Sequence, residues 1–218
     1  MVDCGGNMAQ SAGVIASNHL KGRGKMYIDI LILTHLHDDH MNGVISLLEL
    51  VDVGEILFFD ASSGGDGNRM KLLNAADRLN IRCLNVDRDM SISFGNGYVD
   101  FHAPSGSNRN DNEICLSVLF GYKDFKALIT GDLGELSELD LIMGRRIPDV
   151  DVYVAGHHGS ANSSTITLLN KIKPEKVIIS VGKNTYGHPS EEALERFRLI
   201  NAEILRTDLL GSIEIRVS

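Results

Sequence analysis

Strand-like apolar segments alternate with helical segments along nearly the whole chain of 218 residues. The first strand candidates are residues 28–34 and 55–59, and apolar residues at helical spacing run from 38 to 51 between them. Such alternation predicts a layered α/β sandwich rather than separate helical and β regions. The sequence has no internal repeat and no linker, so it predicts one domain that covers residues 1–218.

The later part of the chain continues this pattern. Residues 81–103, broken at Gly95-Asn96-Gly97, predict short antiparallel strands joined by a tight turn. Ser163 or Ser164 is expected to cap one later helix and Ser190 another. Further strands are predicted at residues 114–122, 126–130, 150–155, 176–181, 203–207 and 212–217.

Composition narrows the class of protein. The chain carries 21 Lys and Arg against 29 Asp and Glu, a net charge of −8, which disfavours gripping nucleic acid by bulk charge. No apolar run reaches the roughly 18 residues that span a bilayer, and no signal peptide is visible, so we expect no membrane insertion by this chain. Its three cysteines are too few and too dispersed for a disulfide framework, which favours a reducing, cytoplasmic location.

The densest chemical signal directly follows the strand predicted at residues 28–34. The sequence from His35 to His40 reads HLHDDH, so three of the chain's eight histidines fall within six residues. Ligands bind where the strands of open α/β sheets end. Imidazole nitrogens and carboxylate oxygens suit Zn²⁺, Mn²⁺ or Fe. The pattern therefore predicts a metal site rather than a polar surface turn.

Three more predicted strands end in His or Asp. Asp132 follows the strand at 126–130, and the tandem pair His157 and His158 follows the strand at 150–155. His188, within the segment YGHPS, follows the strand at 176–181. A Gly-Asp turn or a capped helix start would explain any one of these alone. Four strand ends that each carry His or Asp together favour a functional site.

Taken together, these motifs resemble the metallo-β-lactamase fold superfamily of dinuclear metallohydrolases. More narrowly, residues 34–42, 128–132, 156–160 and 186–190 are similar to the β-lactamase-like domain of the ComEC/Rec2 DNA-uptake proteins and their soluble relatives. The resemblance implies a four-layer αββα metallo-β-lactamase sandwich, in which this chain would lack the first N-terminal strands.

The resemblance also implies a ligand set for two divalent ions, Zn²⁺ or Mn²⁺. The first ion would bind His35 and His37, the second would bind Asp39, His40 and His158, and Asp132 would bridge them. His158 is preferred over His157 by likeness to phosphorylcholine esterases, which also carry a tandem histidine. The family's third histidine of the first site is missing, and Asn112 stands in its place, so we expect that site to be the weaker one.

The implied activity is hydrolysis of a phosphodiester or phosphate ester by a metal-bound hydroxide. Two ions outweigh the charges of Asp39, Asp132 and the hydroxide, so the centre would attract an anionic phosphate-containing substrate, including single-stranded or short nucleic acid. Asp39 would orient the hydroxide, and His157 or His188 would bind a phosphoryl oxygen or protonate the leaving alkoxide. The residues expected to bind substrate are Asn112, Ser160 and His188.

Two alternatives stay open at this point. The same site could cleave a thioester or lactone, as glyoxalase-like relatives do. The chain could instead be a degenerate, non-catalytic metal-binding or interaction module, disabled by its missing ligand and by the missing N-terminal strands. The intact HLHDDH segment, Asp132 and the tandem histidines weigh against the second alternative.

The start of the chain carries one more expectation. Residues 3–6, Asp-Cys-Gly-Gly, match a turn that follows two strands in the family. Without those strands, the strand at residues 28–34 would have an unpaired edge, and unpaired edges promote association. We therefore expect lower stability than in a longer version, or a homodimer formed through that edge.

Overall fold

The computed structural model describes residues 1–6, 11–60, 67–104 and 114–217, which belong to two compact units. The first unit spans Met1–Asp87 and the second spans Arg88–Ser218. Each unit has its own sheet and its own apolar core. The single domain expected from the sequence stays a prediction.

The first unit is a parallel three-stranded sheet with helices in its connections. The sheet has the order β1-β2-β3, and both pairings are parallel. A strand–helix–strand connection returns the chain in the same direction, which explains the parallel pairing. Its elements are α1 (Ala12–Gly22), β1 (Tyr27–Leu33), α2 (Asp38–Met41), α3 (Val44–Leu48), β2 (Asp52–Phe58), α4 (Gly67–Arg78) and β3 (Arg82–Asn85).

One edge of β1 pairs with the start of the chain. The backbone N–H of Ile32 donates to the Met1 carbonyl at 2.9 Å, and the Asp3 N–H donates to the Ile32 carbonyl at 2.8 Å. The terminal amine of Met1 also donates to the Ile30 carbonyl at 2.8 Å. The expectation of a wholly unpaired edge is therefore wrong for the second half of β1. Homodimer formation stays a prediction.

The helix predicted over residues 38–51 is two short helices, α2 and α3. The break lies at Gly43, whose N–H donates to the Cys4 carbonyl at 2.9 Å. Gly43 and Gly13 of α1 approach each other so closely that a Cβ on Gly13 would lie 2.1 Å from the Gly43 carbonyl oxygen. Helix α1 was not predicted from the sequence. The close approach of Gly13 and Gly43 allows it to pack beside α3.

The second unit has a mixed seven-stranded sheet of order β10-β9-β8-β7-β6-β5-β4. Strands β4 to β7 pair antiparallel, while β7, β8, β9 and β10 pair parallel. Leu128, Tyr153 and Phe197 are fully buried in its core. Its elements are β4 (Met90–Phe94), β5 (Gly97–His102), β6 (Ser117–Tyr122), β7 (Phe125–Ile129), α5 (Glu135–Met143), β8 (Val152–Val154), α6 (Ile166–Ile172), β9 (Lys176–Ile179), α7 (Glu191–Leu199), β10 (Glu203–Arg206) and α8 (Thr207–Leu210).

Three local expectations need correction. The first part of the segment 81–103 is β3, which pairs parallel with β2, because α4 connects them. Thr165 caps α6 in place of Ser163 or Ser164, since both serines are engaged elsewhere in the preceding turn. Residues 212–217 form no strand, because the chain leaves β10 through the short helix α8. The expected cap at Ser190 is confirmed by the Ala193 N–H, 3.1 Å from its hydroxyl.

Within the described part of the chain, none of the helices has both the length and the apolar character that crossing a membrane requires.

Candidate metal centre

The HLHDDH segment lies at the carboxyl end of β1. Thr34 and His35 are buried where the strand ends, and His37 is the N-cap of α2. The carbonyl of His37 accepts the backbone N–H groups of His40 and Met41, which starts the helix. The strand end and the first helical turn therefore place three imidazoles close together in the first unit. The ring of His35 lies 4.5 Å from that of His37 and 4.1 Å from that of His40, between centroids.

Asp3 fixes the orientation of this group. Its carboxylate accepts the Thr34 N–H at 2.8 Å, the Thr34 hydroxyl at 2.9 Å and the Nδ1 atom of His40 at 2.8 Å. Because the Thr34 hydroxyl donates its hydrogen bond to Asp3, its oxygen, 3.1 Å from His35 Nδ1, accepts a hydrogen bond from that ring. In the neutral form, both rings then carry their proton on Nδ1, and Nε2 is the nitrogen that can bind a metal, as is typical of metal-binding histidines.

No role for Asp3 was predicted from the sequence. Residues 3–6 were interpreted only as a turn that follows two strands in the family, although a carboxylate ahead of two glycines was the available signal. The structure explains the glycine: a Cβ on Gly5 would lie 2.1 Å from the carbonyl oxygen of Asp39. The Cys4 N–H also donates to the His40 carbonyl at 2.8 Å. This turn therefore packs directly on α2 and holds Asp3 beside His40.

The two adjacent carboxylates of the segment have different surroundings. Asp38 accepts a hydrogen bond of 2.9 Å from Asn68, which also donates to the Leu36 carbonyl, so Asp38 ties the segment to α4. Asp39 is exposed, and its carboxylate lies within 4.8 Å of a ring nitrogen of His40. A ring nitrogen of His35 also lies within 4.8 Å of a ring nitrogen of His37. Nitrogen and oxygen donors at this density suit Zn²⁺, Mn²⁺ or Fe.

In the second unit, Asp132 follows β7 through a glycine turn. Gly131 has a φ of +55°, which favours glycine, and Asp132 is only 3% exposed. Its N–H donates to the buried thiol of Cys115 at 3.3 Å. Its carboxylate lies 3.7 Å from Nε2 of His157, and a carboxylate oxygen lies within 4.8 Å of a ring nitrogen of His158.

The tandem histidines occupy a left-handed turn. His157 has φ 48° and ψ 45°, and His158 has φ 54° and ψ 26°. Residues other than glycine rarely adopt this backbone region, which costs about 1–2 kcal/mol per residue. His158 Nδ1 donates to the Ser180 carbonyl at 2.7 Å, which leaves the lone pair on its buried Nε2. His157 keeps 38% of its side chain exposed.

A buried network of hydroxyl groups forms hydrogen bonds at the start of this turn. The phenol oxygen of Tyr153 accepts the Gly156 N–H at 3.0 Å, directly before His157. The same oxygen lies 3.2 Å from the hydroxyl of Thr130 and 3.1 Å from that of Ser164. Complete burial raises the pKa of Tyr153, so the phenol stays protonated. Tyr153 thus joins the end of β7, the histidine turn and the loop that follows it.

Two charged residues hold that following loop. Glu138 is fully buried and accepts the N–H groups of Ser164 and Thr165. Arg196 donates to the carbonyls of three residues of the loop, at 2.8–2.9 Å: Ala161, Ser163 and Ser164. Burial raises the pKa of Glu138 to about 7, although the hydrogen bonds from Thr165 and Ser164 and the charge of Arg196 oppose the rise. Sequence reasoning did not identify either residue.

The remaining predicted residues have mixed outcomes. The ring of His188 lies 5.6 Å from that of His157, so these two histidines are neighbours. Burial, followed by the charges of His157 and His158, lowers the pKa of His188. Ser160 is buried, and its hydroxyl accepts the Asn162 N–H at 3.3 Å, which makes it part of the turn. Asn112 lies outside the described residues.

Known proteins share sequence or fold with this chain. A family model described as "Beta-lactamase superfamily domain" matches residues 1–205. ComE operon protein 3 of Bacillus subtilis is 28% identical over 203 residues, which cover 90% of this chain and 26% of that protein. Competence protein ComA of Neisseria gonorrhoeae is 27% identical over 228 residues, which cover 98% of this chain and 28% of that protein.

The chain therefore spans about a quarter of the length of these two relatives. Among solved structures, the metallo-β-lactamase fold protein YhfI of Bacillus subtilis matches with a TM-score of 0.59. That match has 11% sequence identity and covers 95% of this chain and 83% of YhfI. At this identity the likeness concerns the fold alone.

Proposed function

Because the chain belongs to the β-lactamase superfamily and has the metallo-β-lactamase fold, we propose that it is a metal-dependent hydrolase of phosphodiesters or phosphate esters. The observation that carries the proposal is the set of hydrogen bonds that Nδ1 of three histidines makes to oxygen atoms. Hydrogen bonds from Nδ1 to Asp3, Thr34 and Ser180 leave Nε2 of His40, His35 and His158 as lone-pair donors. Proteins hold catalytic metal ions with histidines prepared in this way.

The donor set fits two divalent ions, and this fold generally binds divalent metals. We assign the ligands as the family resemblance implies: His35 and His37 to one ion, Asp39, His40 and His158 to the other, and Asp132 to both. His158 is the better choice of the tandem pair, because its Nδ1 donates to Ser180 and its Nε2 is buried, while 38% of the His157 side chain is exposed.

When bound, the ions supply Lewis acidity and activate water as a nucleophile near neutral pH. Asp39, which is exposed, would hold one ion and would orient the nucleophile by accepting a hydrogen bond from it. The lowered pKa of His188 favours a neutral imidazole, which donates a hydrogen bond to a phosphoryl oxygen. His157 protonates the leaving alkoxide as a general acid.

The charge of the chain supports an anionic substrate only at this centre. The net charge is −8, so bulk attraction to phosphate is absent. Two divalent ions against the carboxylates of Asp39 and Asp132 leave local positive charge. The resemblance of the motifs to those of the ComEC/Rec2 DNA-uptake proteins supports DNA, as a single strand or short fragment, as the substrate class.

The proposal is tested by metal analysis together with an activity panel of a phosphodiester, a thioester and a lactone. We expect phosphodiester hydrolysis that chelation abolishes and that Zn²⁺ or Mn²⁺ restores. Turnover of only the thioester or lactone would replace the proposed reaction with acyl hydrolysis. Bound metal without any turnover would indicate a non-catalytic module.

Variants of the tandem pair separate metal binding from substrate chemistry. His158→Ala should lower the metal content, whereas His157→Ala should lower turnover and retain the metal. The exposed His19 of α1 provides the matched control, because His19→Ala removes an imidazole that belongs to neither histidine segment. Equal metal loss in the His157 and His158 variants would contradict the assignment.

The substitution at Asn112 adds an expectation for stoichiometry. With one histidine fewer, the His35–His37 ion should bind more weakly than the other. The purified protein should then hold fewer than two ions per chain, and added Mn²⁺ should raise activity. Two ions that survive extensive chelation would contradict this.

A further inference from the structure

The loop that carries His188 also presents a very exposed aromatic ring. Tyr186 is 83% exposed, and its ring centroid lies 6.4 Å from that of His188. His188 in turn lies 5.6 Å from His157, between ring centroids. A single exposed aromatic residue is ordinary on a protein surface. This one lies beside the two histidines that we assign to the phosphate and the leaving group.

Its backbone is held in place by one side chain. The Asn184 carbonyl oxygen accepts the N–H groups of Tyr186 and His188, both at 3.1 Å. The Asn184 amide nitrogen donates to the carbonyl of Gly182 at 2.9 Å and to that of His188 at 2.7 Å. Asn184 thus fixes the backbone of Tyr186 relative to His188. Preorganisation of this kind lowers the entropy cost of binding.

We propose that Tyr186 is a stacking platform for a nucleobase next to the phosphate that is cleaved. The proposal rests on the proposed function and adds to it a residue that contacts the base, so that a phosphodiester with a neighbouring base binds better than one without. Aromatic side chains stack on every base, so the contact tolerates any sequence. Lys183, exposed on the same loop, supplies a positive charge for the adjoining backbone phosphate.

Binding can be measured without turnover, because the chain contains no tryptophan. Tyr186→Trp places the single tryptophan of the chain at the proposed contact, where it can be excited apart from the remaining tyrosines. This variant is titrated with a hydrolysis-resistant phosphorothioate oligothymidylate, once in Zn²⁺ buffer and once with chelator. In both buffers we expect the oligonucleotide to quench the tryptophan fluorescence saturably. Tyr27→Trp is the matched control, since Tyr27 is also exposed, at 54%, but lies at the start of β1. That variant should show no saturable quenching.

Two further ligands define what is recognised. An abasic oligonucleotide of equal length should not quench Tyr186→Trp, because it offers phosphates without a base. Thymidine monophosphate distinguishes a free nucleotide from a nucleotide within a strand, according to which ligand saturates at the lower concentration. Absence of quenching by any base-bearing ligand, or equal quenching by the abasic strand, would overturn the proposal.

Kinetics provide the second readout. Tyr186→Ala should raise the KM for a base-bearing oligonucleotide about 5- to 150-fold, the range that corresponds to one base stack. Tyr186→Phe should retain the KM of the unmodified chain, and Tyr186→Ala should leave the KM for the abasic strand unchanged. Equal loss on both strands would contradict a stacking role. Quenching without hydrolysis would refute the proposed function alone, whereas hydrolysis without quenching would refute only the platform.

Discussion

The two histidine segments present imidazoles by different means. The segment from His35 to His40 uses ordinary extended and helical backbone, and a single carboxylate, Asp3, orients it. The tandem pair at 157–158 is held in left-handed backbone, above a buried network that includes Tyr153 and Glu138. The first segment therefore has unstrained backbone and takes its orientation from Asp3, whereas the second has strained backbone that a buried network of other residues supports.

The difference between the two segments shows which residues stabilise the backbone of each one. Strained backbone persists only when its surroundings over-determine it. The loop after His158 has its N–H groups bound by Glu138 and its carbonyls bound by Arg196. Loss of such support should affect folding before it affects chemistry. In the first segment, loss of Asp3 should affect metal affinity more than folding.

The largest effect is expected for Glu138→Ala. This change leaves the buried N–H groups of Ser164 and Thr165 without their acceptor and opens a cavity, so the free energy of unfolding should fall by about 2–5 kcal/mol. Glu138→Gln retains one acceptor oxygen and should lose less. Urea unfolding measures both, with Glu135→Ala, an exposed residue of the same helix, as the control. A loss no larger than that of the control would refute the supporting role.

The pH dependence of stability offers the next largest effect. Because the folded-state pKa of Glu138 is raised from 4.5 to about 7, the folded chain binds more protons than the unfolded chain between these values. The contribution of Glu138 to stability should therefore be largest below pH 4.5 and should decline by roughly 3 kcal/mol as the pH rises to 7. Denaturant unfolding of the unmodified chain and of Glu138→Gln from pH 4.5 to 7 measures this difference. Parallel curves would contradict it.

For the first segment, Asp3→Asn should weaken metal binding about 10- to 100-fold, the range typical of lost outer-shell partners. The amide oxygen can still accept the Thr34 N–H, but the amide nitrogen then replaces the acceptor atom that faces both His40 Nδ1 and the Thr34 hydroxyl. Titration of the metal-free protein with Zn²⁺ gives the dissociation constant. Asp52→Asn, at the exposed start of β2, is the matched control. Unchanged affinity would show that His40 does not need this partner.

The sequence predicts the two regions unequally. In the first, β1 and the histidines can be read directly, because an apolar strand runs into a dense cluster of ligand types. In the second, His157 and His158 are visible, but their left-handed conformation and their partners are not. Glu138 lies about 20 positions earlier in the sequence, and ordinary helix composition hides it. The break at Gly43 and the cap at Thr165 were missed because tertiary contacts decide both.

The smallest predicted effect is the most direct test of the comparison, since it should have opposite signs in the two segments. At His157, φ is 48°, so glycine should be more stable than alanine by about 1 kcal/mol. At His40, inside α2, alanine should be more stable than glycine by about 0.5–1 kcal/mol. Both members of each pair lack the imidazole, so the loss of its contacts cancels within the pair. The four variants are compared by urea unfolding in chelator, where metal binding makes no contribution. If glycine were the less stable member at His157 as well, the turn would not be strained in solution, and the contrast between the two segments would disappear.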